Sequence, residues 1–113
     1  MNVKDIASLI NAKVVSGQNG LDKEVTGAYT SDLLSNVMAN IEENQIWITL
    51  QTHKNIIAIA SLKDIAAIIL VQDLLPSEEC AEQSNIEGIP ILSTSLNAYQ
   101  ISGKLFEILK NNA

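Results

Sequence analysis

Apolar and polar positions follow two different rhythms along this chain, and the sharpest change of rhythm lies within residues 46–71. Ile46, Trp47, Ile48, Thr49 and Leu50 form a β-branched and aromatic run without the alternation of a half-wet strand, and Ala67 to Val71 repeats it. Between the two runs stand a polar loop, Gln51 to Asn55, and an apolar helical stretch. That order predicts a βαβ unit whose strands lie buried in a parallel sheet. Upstream, Val3, Ile6, Ala7 and Ile10 share one helical face, residues 12–16 turn extended, Gly17 to Gly20 form a turn cluster, and Val25 to Tyr29 reads as a short strand. Leu34, Val37, Met38 and Ile41 mark another amphipathic helix, with Thr30 or Ser31 as its cap and Asp32 near its positive end. Downstream, Pro76 and Ser77 open a helix with Glu78 and Glu79 in its first turn, and Gly88 closes it. Pro90 to Leu92 makes a strand and Ser95 is the expected cap of a last helix. Ala98, Ile101, Leu105, Ile108 and Leu109 are its inward stripe, and Gly103 is expected to admit a close neighbour.

Regular alternation of strand and helix patterns predicts an α/β fold. The expected architecture is a single domain over residues 1–113, a layered sandwich with a mostly parallel sheet of about four to five strands flanked by helices on both faces. The short N-terminal strands would add an edge.

Composition narrows the function classes. At 47% hydrophobic and 18% charged the chain is too apolar for disorder, and it has no unbroken apolar run long enough to cross a bilayer, so membrane association is not expected. A net charge of −6 with no basic cluster repels phosphate backbones, which argues against nucleic acid as a partner. The N-terminus lacks the pattern of a secretory signal and Cys80 is alone, so a cytoplasmic location is expected.

Catalytic motifs are missing. Neither G-x-x-x-x-G-K-[ST] nor G-x-G-x-x-G occurs, and one His, one Cys and dispersed acids make a poor metal ligand set, so no cofactor is expected. Cys80 with His53 is the one pair available as a nucleophile and base, although a lone cysteine on a helix face usually packs. The remaining polar candidates sit where strands should end: Thr30, Ser31 and Asp32; Gln51, Thr52, His53 and Asn55; Ser93, Thr94 and Ser95. In a parallel sheet such loops share the carboxyl edge, where α/β folds bind ligands, and each precedes a helix whose amides suit an anion. The same residue types are also the preferred helix caps.

The segments GAYTSDLLSNVM, IWITLQTHKNIIAIASLKDIAAIILV and EGIPILSTSLNAYQISGKL, in that order, resemble the DRTGG domain family over nearly the whole chain. The resemblance implies an α/β fold related to the N-terminal domain of HPr kinase/phosphorylase and, more remotely, to the first domain of Mur ligases. It also implies a regulatory or interface role, as in phosphotransacetylases and in pyrophosphatases that carry CBS domains. A free-standing copy would belong to a small group of separate regulators. The motif itself is not kept: the family's Asp-Arg falls at about Thr52-His53 and its Thr-Gly-Gly near Val71-Gln72-Asp73. The expected function is a non-catalytic regulatory domain that dimerises or docks on a separate enzyme or signalling protein and senses a small ligand, an adenine nucleotide. The alternatives are an interaction subunit without a ligand and, third, a small enzyme using Cys80 and His53. A homodimer is expected from the high apolar fraction together with the family's interface role.

Overall fold

The computed structural model describes residues 1–111. Its elements are α1 (Val3–Leu9), β1 (Lys13–Ser16), a 3-10 turn (Gln18–Gly20), β2 (Gly27–Thr30), α2 (Leu34–Asn40), β3 (Gln45–Thr49), α3 (Asn55–Lys63), β4 (Ala67–Leu70), α4 (Glu78–Glu87), β5 (Ile91–Ser93) and α5 (Ala98–Asn111). The βαβ unit of the central segment is present, and strand ends fall within two residues of their expected places. One five-stranded sheet has the order β1-β5-β4-β3-β2, with β2 to β5 parallel and β1 antiparallel to β5. Both N-terminal strands are therefore edges, one on each side.

Because the parallel strands stand in sequence order, each right-handed crossover moves the chain one place along and lays its helix on the same face. α3 accordingly packs between α2 and α4. α1 and α5 cover the other face. The strands divide their side chains between these layers: Ile46, Ile48, Ala67, Ile69 and Leu92 pack with Ile6, Ile101 and Leu105, whereas Trp47, Ile68, Leu70 and Ile91 pack with Val37, Ile56, Ala60 and Cys80. Helices on both faces explain why the strands read as unbroken apolar runs. Trp47 is fully buried, and its indole Nε1 donates to the Ser31 carbonyl at 2.8 Å, so its polar atom is satisfied inside.

The antiparallel edge is held by buried hydroxyls. Ser16 and Ser84 pair at 2.7 Å, Ser84 also donates to the Ile89 carbonyl, and the Gly17 amide donates to Asn85 Oδ1. Gly17 sits at φ +70 against the Ile89 carbonyl, where a Cβ would collide. Ser77 caps α4 by accepting from the Cys80 amide, and Gly88 closes it in the left-handed conformation, as the sequence predicts.

Three local expectations fail. α5 is not capped by Ser95; Asn97 accepts from the Gln100 amide while Gln100 Oε1 accepts from the Asn97 amide, a reciprocal box two residues further on. α2 starts at Leu33 with no side-chain cap, because Ser31 Oγ accepts from the Leu33 amide in a local turn and Asp32 is engaged elsewhere. Gly103 is exposed with open space around it, so no close neighbour explains it.

Candidate functional site

Parallel β2 to β5 bring the three expected loops to one end of the sheet, and there they split into two interlocked groups. The first joins β2 to β3. Asp32 Oδ1 accepts from Thr49 Oγ1 at 2.8 Å and from the Leu50 amide at 2.7 Å, and Gln51 Nε2 donates to the Asp32 carbonyl at 3.0 Å. Thr49 is 2% exposed, so an exposed carboxylate satisfies a buried hydroxyl. Thr30 Oγ1 pairs with Ser102 Oγ at 2.7 Å, tying the end of β2 to α5.

The second group joins β4 to β5. Ser93 Oγ donates to the Leu74 carbonyl at 2.8 Å, and Thr94 Oγ1 accepts from the Leu96 amide. The amides of Gln72 and Asp73 donate to the Leu96 and Thr94 carbonyls. Gln72 and Asp73 are both left-handed, φ +56 and +59, a conformation that costs a side-chain-bearing residue on the order of 1 kcal/mol. These are the positions to which the resemblance assigns the family's two glycines. The two amides of this left-handed pair are spent on the neighbouring loop.

Segment 71–77 stands between the loops at 51–55 and 93–95, as β4 stands between β3 and β5. The Ser77 amide donates to the Thr52 carbonyl at 2.9 Å, so the three loops form one continuous rim. On that rim His53, Asn55 and Ser95 are exposed, and α3 begins at Lys54 with no side-chain cap. Lys54 Nζ lies 3.2 Å from Glu79 in an exposed ion pair. Of the ten residues singled out from the sequence, Thr30, Ser31, Asp32, Gln51, Ser93 and Thr94 have side chains bonded within the rim or to α5. The sequence reading places the family's Thr-Gly-Gly near Val71-Gln72-Asp73 but leaves segment 71–77 out of the candidate site, because Gln72 and Asp73 carry no glycine signal. It also missed Ser102, which is hidden in the polar face of a helix.

Chemically the rim offers hydrogen bonds rather than a nucleophile. Cys80 is fully buried on the inner face of α4, and burial pushes its thiol up to about 11, away from the thiolate. Cys80 and His53 therefore do not form the nucleophile and base entertained from sequence. Among the described residues no group of three or more His, Cys, Asp or Glu could hold a metal ion, and no helix is long and apolar enough to cross a membrane.

A three-layer α/β sandwich whose parallel strands end in a rim of bonded loops is the class of structure these features define. The chain belongs to the DRTGG domain family, whose model matches residues 5–108. No curated protein matches it. A similar solved structure is that of the CBS and DRTGG domains of the regulatory region of Clostridium perfringens pyrophosphatase, complexed with the activator diadenosine tetraphosphate. It is 14% identical with a TM-score of 0.65, and the match covers 91% of this chain and 44% of that one, a likeness of fold.

Proposed function

We propose that this chain is a non-catalytic regulatory domain of the cytoplasm that binds an adenine nucleotide at the rim and passes its occupancy to a partner enzyme or signalling protein. The observation that carries the reading is the start of α3: a helix end without a side-chain cap, whose Ile56 and Ile57 amides turn back to the His53 and Lys54 carbonyls, beside exposed His53, Lys54 and Asn55 at the edge of the sheet where α/β folds take ligands. The family membership and the nucleotide activator of the pyrophosphatase region support a regulatory role. Burial of the Cys80 thiol argues against its use as a nucleophile. Exposed Asp73 on the same rim favours a ligand of modest charge over a polyphosphate.

One observation favours a second reading, a docking subunit without a ligand. The Gln72 and Asp73 amides, adjacent donors of the kind that hold a phosphate, are already bonded to the next loop. Titration separates the two. Under the first reading AMP, ADP or ATP at millimolar concentration raises the melting temperature and shifts the amide resonances of residues 53–55, with about 2.7 kcal/mol of stabilisation at a hundredfold excess over Kd. His53→Ala weakens that response while changing stability by less than about 0.5 kcal/mol. No response to any nucleotide, at the rim or in the melt, leaves docking alone.

A further inference from the structure

Away from the rim, the outer edge of β2 and the helix above it form a groove. We infer that this groove takes the carboxyl-terminal tail of a partner protein: the tail adds to β2 as a short antiparallel strand, its last side chain enters between β2 and α5, and its terminal carboxylate meets Lys110. The site lies apart from the start of α3 and does not depend on nucleotide binding.

The backbone of β2 supplies the first half of the contact. β2 pairs with β3 alone among the described residues. Alternate residues of a parallel strand turn both backbone groups to one neighbour, and the Ser31 amide donates to the Ile48 carbonyl, so Ala28 and Thr30 turn theirs outward. An added strand bonds to these groups. Open edges are ordinarily shielded by charge, proline or a bulge, as β1 is by Lys13 and by its irregularity between Val14 and Ser16. Residues 27–30 carry none of these.

The open stretch is short, and its limit selects a chain end. Just before β2 the outer side is already taken, because the Val25 amide donates to the Met1 carbonyl at 3.0 Å and Asn2 bridges Glu24 in antiparallel order. A strand that runs antiparallel along β2 therefore meets residues 1–2 head-on. A tail that stops opposite Ala28 fits this space, and a segment that continues past Thr26 does not.

The helix supplies the second half. Opposite residues of antiparallel strands share a face, so the tail's last side chain points as Ala28 does, toward the layer that holds α5. There a groove of about 360 Å³ is walled by Ala28 on one side and by Phe106 and Leu109 on the other, with buried Ile48 at its floor. Phe106 is 67% exposed, a large apolar side chain that the fold itself does not cover. This lining selects a branched or aromatic last side chain. Two residues earlier the tail lies against Thr30, where the Thr30–Ser102 bond of 2.7 Å draws α5 down to β2, so only a short side chain fits.

Charge completes the selection. Among the described residues lining the groove Lys110 is the one that carries a charge, and it lies with Thr26 at the far end, eight residues and about 12 Å along α5 from Ser102. That is the end at which the tail stops. In a chain of net charge −6, a cation there matches a terminal carboxylate, of which one oxygen accepts from the Ala28 amide while the other faces Lys110. An internal segment of a partner brings no backbone charge to that position.

A pool of fluorescein-labelled hexapeptides with free carboxyl ends, randomised at the last four positions, tests the site on the immobilised whole chain. The expected selection is a bulky apolar last residue with a short side chain two places before it, binding by anisotropy with Kd of about 1–100 µM. Amidating the carboxyl end, or adding two residues beyond it, should raise Kd about tenfold or more. Lys110→Ala and Phe106→Ala should do the same while keeping the circular dichroism of the parent, and the peptide should slow exchange of the Ala28 and Thr30 amides. His53→Ala on the rim and Leu62→Ala, at a 71% exposed site across the sheet, should leave Kd unchanged. A pool with no preferred carboxyl end overturns the inference, as does a selected peptide that binds equally well as its amide. Binding that His53→Ala abolishes and Phe106→Ala leaves intact overturns it too, and assigns the peptide to the rim.

Discussion

Asp32 is exposed to solvent, yet the fold uses it as an internal anchor, and replacing it should cost far more than its position on the surface implies. Its Oδ1 takes one bond from the Thr49 hydroxyl, which is 2% exposed, and one from the Leu50 amide beside it. Bonds to charged acceptors contribute about 1.5–3 kcal/mol each when water cannot replace them. Water can reach Leu50, which is 43% exposed, so its bond falls at or below the lower end, while the Thr49 bond counts nearly in full. Asp32→Ala should therefore cost about 2–3 kcal/mol in total. In a domain of this length that is a fall in Tm of about 10–20 °C. Asp32→Asn keeps the oxygen and loses the charge, so about 1 kcal/mol is expected. Urea denaturation followed by circular dichroism measures both, with the slope m unchanged if only the native anchor is lost. A cost below about 0.5 kcal/mol for Asp32→Ala, the range of an ordinary exposed substitution, would refute the argument.

The layer assignment and the thiol are open to equally direct checks. Ile48→Ala and Ile69→Ala, both at fully buried positions of central strands, should cost about 2–5 kcal/mol, whereas Leu62→Ala should stay within about 0.5; equal urea midpoints for the three would show the sheet is misread. Cys80 should react with a disulfide reagent only as fast as the protein opens. Its thiol is raised from 9.0 to about 11 by burial, so its contribution to stability is complete below pH 9 and fades as the pH climbs through 11. Compared with Cys80→Ala, the parent should therefore lose more stability between pH 8 and about 11, and a parallel decline in the two proteins would count against a buried neutral thiol.

The layers were legible because the hydrophobic runs are unusually plain. Strands buried on both faces cannot alternate, so Ile46 to Thr49 and Ala67 to Leu70 announced helices on either side of the sheet, and Ser77 and Gly88 bounded α4 by local chemistry that tertiary packing did not override. Asp32 was picked out from sequence, but as a charge beside a helix end or a ligand contact; that it would reach across to Thr49 depends on β2 and β3 being neighbours, which no local pattern states. Ser95 and Asn97 are both good caps, and the choice between them was made by Gln100, three residues further on. The left-handed pair at Gln72 and Asp73 was invisible for a simpler reason: the residues that normally signal such a turn are absent, and the turn is held by carbonyls of the next loop.

The sheet order also shapes how the chain can fold. β3, β4 and β5 each join a neighbour made only a short stretch of chain earlier, so the parallel sheet can grow from β2 by one helix and one strand at a time with modest loop-closure entropy at each step. β1 is the exception. It precedes the other strands of the domain but pairs with the last of them, and the Ser16–Ser84 contact spans 68 residues, so its site does not exist until β5 is in place. The domain's first strand is then the last to be seated, and the flank of β5 remains a hazard for intermolecular pairing until it arrives.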